Sequence, residues 1–194
     1  MENSMPELIG KVKKLHQEGN FDKEIQLLEE ALKQEPENPK LYINRGNAYY
    51  FKREYEKALR DYEKALHYDR NNPWIYNNLG NVFEALDSLE DAVKEYTQAI
   101  ELDGEISGIF INRGMVYARL DDMDSAIDDF TKAIELDPGY ANCYNHRGRA
   151  YQQKGLLKEA AADFNTYLKL NDNRFGDAEE FREYIRGMGF TPEY

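Results

Sequence analysis

The sequence predicts an all-α solenoid, a run of helix pairs repeated along the chain. Two observations carry that expectation. The segments YINRGNAYYFK, YNNLGNVFEAL, FINRGMVYARL and YNHRGRAYQQK place Gly46, Gly80, Gly114 and Gly148 at a constant interval of 34 residues. A fixed period of that length marks one structural unit that has been copied. Within each period the apolar residues recur at helical spacing. In the first clear copy they are Tyr42, Tyr49, Tyr55, Ala58, Leu59, Tyr62, Ala65 and Leu66, which reads as two amphipathic helices separated by a turn near Arg53.

Frames with the glycine in eighth place run 39–72, 73–106, 107–140 and 141–174, preceded by a degenerate copy at 5–38. The glycines let the first helix approach the second where a Cβ would collide. Ala58, Ala92, Ala126 and Ala160 serve the second helix in the same way, and Ala31, Ala65, Ala99 and Ala133 repeat the device seven residues later. Tyr62, Tyr96, Phe130 and Phe164 fill the space that the small residues leave. Pro39 and Pro73 suit a first helical turn, where a missing N–H is no loss. Pro36 and Pro138 lie in the connector after a second helix.

In 5–38, Val12 stands at the glycine place and Glu24 at the alanine place, while Gly19, Phe21, Leu28, Ala31 and Pro36 are kept. It reads as an N-terminal capping repeat, with Ser4 and Glu7 forming a capping box. In the last frame Tyr167 replaces the second alanine, so an identical repeat would not dock there. Residues 175–194 then supply a capping helix and a short tail. Asp177 is its expected N-cap with Glu180 three residues on, and Phe181, Tyr184, Ile185 and Met188 lie on one face.

This pattern resembles the tetratricopeptide repeat, with its 34-residue period and its glycine, tyrosine, alanine, phenylalanine and proline places. The resemblance covers 5–174. It implies a right-handed α-solenoid of five helix-turn-helix repeats, with the first helix of each repeat facing a concave groove. It further implies that the second, fifth, sixth, ninth, twelfth and thirteenth places of a frame face that groove. Those places give Asn44, Asn47, Tyr50 and Phe51; Trp74, Asn77, Asn78 and Asn81; Asn112 and Arg119; and Asn142, Asn145, His146 and Arg149. Two readings fit the aromatics: anchors for a partner's side chain, or packing between repeats. Two also fit the asparagines at the sixth place. They form a ladder gripping an extended peptide backbone, or they are a default of this repeat. Family members that receive the acidic tail of heat-shock chaperones use a two-carboxylate clamp of lysine, asparagine and arginine. Here Asn81 and Asn112 match, whereas Asn77 and Asn142 replace both lysines and His146 the arginine, so that role is not expected.

The composition narrows the function further. A chain of 194 residues that is 41% hydrophobic, with fifteen tyrosines, can bury a core. Its formal charge of −12 opposes a large nucleic-acid or anionic-membrane interface. No apolar run reaches membrane-spanning length, and MENSMPELIGKVKK has no apolar core of a secretory signal, so the expected location is cytoplasmic. Cys143 is the only cysteine and the histidines are His16, His67 and His146. No phosphate loop, nucleophile elbow or zinc motif is present. In LDDMDSAIDDF, Asp122 and Asp124 have a calcium-loop alternation, but Ala126 and Ile127 break it, and acids at a helix start are the simpler reading. No catalysis, cofactor or metal is expected.

One charge pattern recurs. Arg45, Arg113 and Arg147 each precede an aspartate by sixteen residues, namely Asp61, Asp129 and Asp163, and the frame with Leu79 in place of arginine carries Glu95. An intra-repeat pair is expected, with a surface-type strength of less than about 2 kcal/mol. The function this supports is a non-catalytic scaffold or adaptor that binds an extended segment of a protein partner in the groove. The alternative is an architectural subunit whose solenoid surfaces build a homo-oligomer or a larger complex.

Overall fold

Each expected amphipathic stripe becomes a helix in the computed structural model, which describes residues 5–171 and 178–193. Ser4 and Asp177, the two expected capping residues, lie outside the described residues. Contacts divide the chain into two units, Met1–Leu102 and Asp103–Tyr194.

The first unit holds α1 (Met5–Gln17), α2 (Phe21–Gln34), α3 (Pro39–Phe51), α4 (Tyr55–Tyr68), α5 (Pro73–Ala85) and α6 (Leu89–Leu102). Its helices pack as consecutive pairs, and the second helix of one pair also packs on the first of the next. Asn38 and Asn72 cap α3 and α5 by accepting from the backbone N–H of Lys40 and Trp74, with Pro39 and Pro73 at the helix start. A Cβ on Gly46 would sit 2.6 Å from a Tyr62 ring carbon, and one on Gly80 would sit 2.6 Å from Tyr96. Both rings are buried, as are Ala58, Ala65, Ala92 and Ala99. The α1–α2 pair solves the same problem with other volumes: Val12, 2% exposed, faces the smaller Leu28 of a shared cluster instead of a glycine facing an aromatic ring.

The degenerate Glu24 is fully buried in that first pair, and its carboxylate lies 3.1 Å from His16 Nδ1. Burial raises its pKa above the ordinary glutamate value, against the pull of His16. A buried carboxylate in the alanine place is thus held by a residue on the facing helix.

The second unit holds α7 (Ser107–Arg119), α8 (Met123–Leu136), α9 (Ala141–Gln153), α10 (Leu157–Asn171) and α11 (Ala178–Gly187). Gly114 and Gly148 abut Phe130 and Phe164, where a Cβ would approach to 2.8 Å. Asp122 caps α8, its carboxylate accepting from the Ser125 N–H and hydroxyl. On α11, Phe181 and Ile185 are buried against α10, the Phe181 ring 4.8 Å from Tyr167 and 5.7 Å from Phe164. Tyr184 remains 39% exposed, its hydroxyl hydrogen-bonding to Gln152.

The turn between paired helices recurs with the repeat. Gly19, Arg53, Asp87, Asp121 and Gly155 all have φ between 61° and 74°, a left-handed region that disfavours side chains. Gly189, one period after Gly155, has φ 86°. Its N–H donates to Arg186 and that of Phe190 to Ile185, as Gly155 and Leu156 donate to Gln152 and Tyr151. The segment after α11 therefore closes with the turn that ends the first helix of a repeat.

Candidate functional site

The buried phenols decide what the asparagines can do. Tyr62 and Tyr96 are almost fully enclosed, and an enclosed hydroxyl needs a partner. Tyr62 donates to Asn47 Oδ1 at 2.7 Å and Tyr96 to Asn81 Oδ1 at 2.7 Å. Burial pushes both phenols well above the ordinary tyrosine range. Asn78 also donates to Asn47 Oδ1 at 3.0 Å, and Asn77, 6% exposed, reaches Asn78 at 3.4 Å. Asn44 donates back to the Lys40 carbonyl at 2.7 Å. In the second unit the equivalents of the tyrosines are Phe130 and Phe164, which need no such partner, and the equivalents of Asn47 and Asn81 are Met115 and Arg149. Tyrosine thus occurs with asparagine and phenylalanine without it, a signal that comparison of the frames could have found.

The aromatic residues divide. Tyr50 is half-buried between Phe51 and Tyr55, at 5.6 and 5.8 Å, and burial raises its pKa. Phe51 stacks on Phe21 at 5.6 Å and meets the His16 ring edge-on at 4.8 Å, yet 55% of it stays open to solvent. Trp74, in the first turn of α5, is 53% exposed and makes no ring contact among the described residues. An indole 53% exposed forgoes about half of the roughly 1.5–3 kcal/mol that full burial of a large apolar side chain contributes.

In the second unit Arg119, Asn142 and Arg149 are exposed, while Asn112, Asn145 and His146 are partly buried. Arg149 Nε donates to Asn145 Oδ1 at 3.0 Å. His146 stacks on Phe130 at 5.5 Å, and burial, reinforced by Arg149, lowers its pKa. Its ring is therefore neutral near neutral pH, leaving Arg149 as the positive charge of that face of α9.

The recurring charges pair as expected. Arg45 holds Asp61 through two bonds of 2.7 Å, Arg113 holds Asp129 at 2.7 and 2.8 Å, and Arg147 holds Asp163 at 2.8 Å through both nitrogens. They are not surface pairs, however. The aspartate side chains are 6–7% exposed and the arginines 16–19%, so deleting one partner would leave a largely buried charge and cost more than the loss of a surface pair. Burial raises the Asp129 and Asp163 pKa values against the pull of their arginines. Glu95, without an arginine, also has its pKa raised by burial.

Other chemically active types are committed to structure. Cys143 is fully buried, its thiol pushed up to about 12 by burial. Asp124 pairs with Lys154 and Asp22 with Lys52, one such strap in each unit. Among the described residues no group of three or more His, Cys, Asp or Glu could hold a metal ion. None of the described helices is long and apolar enough to cross a membrane.

Sequence models of the tetratricopeptide repeat match residues 13–52 and 50–87, 75–106, 109–140 and 130–162. No curated protein sequence matches the chain. A crystal structure of MamA is similar with a TM-score of 0.77 and 25% identity, over 90% of this chain and 98% of that one. The structure of YrrB, a TPR protein with an unusual peptide-binding site, gives 0.71 and 23% identity over 93% and 92%. That of PilW, a type IV pilus biogenesis factor, gives 0.82 and 17% over 96% and 87%; at these identities the last two speak for the fold alone. The glycine–aromatic contact recurs from pair to pair, and sequence models of the repeat match along most of the same stretch. The chain therefore belongs to the tetratricopeptide repeat family and is built as its α-solenoid of helix pairs.

Proposed function

We propose that this protein is a non-catalytic interaction scaffold that binds an extended segment of a protein partner on the first-helix faces of its repeats. The single observation that carries the reading is Trp74, half exposed at the start of α5 with no ring partner among the described residues. Phe51, also half exposed, lies in the same unit. Large aromatic rings open to water are the residues from which binding hot spots are made. In the second unit Arg149 and Asn142 offer a charge and an amide to the partner's acidic and backbone groups. Asn47 and Asn81 hold the site's framework by satisfying buried phenols, so they support the surface rather than read the ligand.

The experiment is capture from the native source on immobilised wild-type protein and on Trp74→Ala, with bound proteins identified by mass spectrometry. A partner retained by wild type and depleted on the variant is expected. A partner retained equally by both overturns the first-helix assignment. Capture of this chain alone, with mass rising with concentration, assigns the surface to self-assembly.

A further inference from the structure

The face of α3 opposite Asn44, Asn47 and Phe51 carries Tyr42, Arg45 and Tyr49, one and two turns apart. With α4 it walls a cleft of about 720 Å³. Lys57, Arg60, Lys64 and His67 line its α4 side, and their spacing of three, four and three residues puts all four on one face of that helix. Two carboxylates share the cleft, Asp61 and Glu63. Asp61 is taken by Arg45, and Lys57 reaches Glu54 at 2.6 Å while lying over the Tyr49 ring. Arg60 and Lys64 are exposed and make no ion pair among the described residues. Glu29 of α2 acts on Arg45 and Tyr49 from the α3 side, so the open positive charge of the cleft is the Arg60 and Lys64 stripe on α4, on a chain of formal charge −12.

The fold does not demand that charge. One period later the same place forms a smaller cleft, about 320 Å³, lined by Tyr76, Lys94, Glu95, Gln98 and Glu101. There Asp91, Lys94, Gln98 and Glu101 stand where α4 has Lys57, Arg60, Lys64 and His67, and in α8 those places hold Ser125, Asp128, Lys132 and Glu135. Each of these two helices keeps a single basic residue at the four places and carries two acids, so the full basic stripe belongs to this one hairpin and not to the repeat.

We propose that the α3–α4 cleft is a second docking surface, which receives a short acidic segment of a partner protein. The stripe from Lys57 to His67 rises about 15 Å along the helix, the span of about five residues of extended chain. Acidic side chains would meet Arg60 and Lys64, and the Tyr42 and Tyr49 rings give an apolar floor to a residue between them. A nucleic acid fits worse, because a continuous polyanion would run beyond the stripe onto an acidic surface. The surface lies on the opposite side of α3 from the first-helix face proposed above, so the two stand or fall separately.

The test is a titration of the full, isotopically labelled chain with the peptide acetyl-Glu-Glu-Tyr-Glu-Glu-amide, read by amide shifts in two-dimensional NMR. Expected are shifts concentrated on α4 and on Tyr42–Tyr49, at least tenfold weaker binding to Arg60→Glu/Lys64→Glu, and unaltered binding to Trp74→Ala. The milder Arg60→Gln/Lys64→Gln, at exposed positions, should weaken binding in the same direction. Raising salt from low to above physiological should weaken it severalfold. Equal binding of the glutamine version of the peptide, or no shift on α4 at millimolar peptide, overturns the proposal. Tighter binding of an oligothymidylate at the same amides would assign the cleft to nucleic acid. Self-association abolished by Arg60→Glu/Lys64→Glu would assign it to a second copy of the chain. Either result also overturns the proposal.

Discussion

Removing the Arg113 side chain should destabilise the second unit far more than loss of a surface ion pair would. The guanidinium makes two bonds to Asp129 at 2.7 and 2.8 Å, with 16% of its side chain exposed and 6% of the aspartate's. It also lies over the Phe110 and Tyr117 rings at 5.9 and 5.7 Å. Breaking a buried pair by deleting one partner costs about 3–5 kcal/mol, because the other charge stays buried. Partial access of water to the arginine favours the lower end, and lost cation–ring contacts add about 0.5 kcal/mol each. Arg113→Ala should therefore cost about 3–4 kcal/mol near neutral pH. Asp129→Ala should cost less, since the long arginine can turn towards solvent. A double-mutant cycle by urea denaturation should give a coupling of about 1–3 kcal/mol. The loss should also depend on pH. Burial already holds the Asp129 pKa above its ordinary 3.8, and without Arg113 it rises further. The penalty is then fully present above that raised pKa and is relieved as pH falls through it, so Arg113→Ala should be less damaging at pH 4.5 than at pH 7.5. Additive single mutants, or a loss of less than about 1 kcal/mol at neutral pH, would refute the reasoning.

Three further outcomes are expected. Gly46→Ala should cost about 1–3 kcal/mol, because its Cβ would meet the buried Tyr62 ring at 2.6 Å. Gly10→Ala, with nothing within 4 Å, should instead stabilise by about 0.5–1 kcal/mol, and equal effects in thermal melts would contradict the close-approach account. Glu24, whose folded pKa is raised above 4.5 by burial, stabilises less as pH rises through that pKa. Wild type should then lose stability relative to Glu24→Gln between about pH 4.5 and 7 in urea titrations; a relative gain would mean that the His16 pairing dominates. Phe181→Ala, at a residue 8% exposed against Tyr167 and Phe164, should cost about 3 kcal/mol. It should free the α11 amides in hydrogen exchange, and unaltered protection at Ile185 would show that α11 does not lean on that ring.

What was legible in the sequence is what the backbone repeats. The glycine–aromatic contact must recur wherever two helices approach at one distance, so Gly46, Gly80, Gly114 and Gly148 announce it together. Arg45, Arg113 and Arg147 could be paired with their aspartates because the two frames without the arginine, with Lys11 and Leu79 at its place, also lack the aspartate. The depth of those pairs was not legible, since spacing gives a facing direction and burial depends on what the neighbouring helices cover. The role of Glu24 was hidden for the same reason: its partner, His16, lies across a turn in a frame that departs from the pattern. At the candidate surface, place in the frame could not separate Tyr50 from Trp74. Tyr50 is half covered by Tyr55 and Phe51, whereas nothing of that kind covers the Trp74 indole. The two asparagines that hold phenols, Asn47 and Asn81, share the ninth place, and comparison with Tyr62 and Tyr96 in the same frames could have set them apart from the groove asparagines at other places.

The central claim is that a partner segment binds the first-helix face around Trp74. Its most direct test is a titration of the captured partner followed by the fluorescence of Trp74, the chain's one tryptophan, using a tryptophan-free segment of that partner. Burial of the indole should shift the emission to shorter wavelength and saturate with the binding isotherm. Trp74→Ala should weaken binding by more than about 1 kcal/mol, roughly fivefold or more. Saturable binding with unaltered emission, and with equal affinity for the variant, would place the partner on another surface and contradict the account.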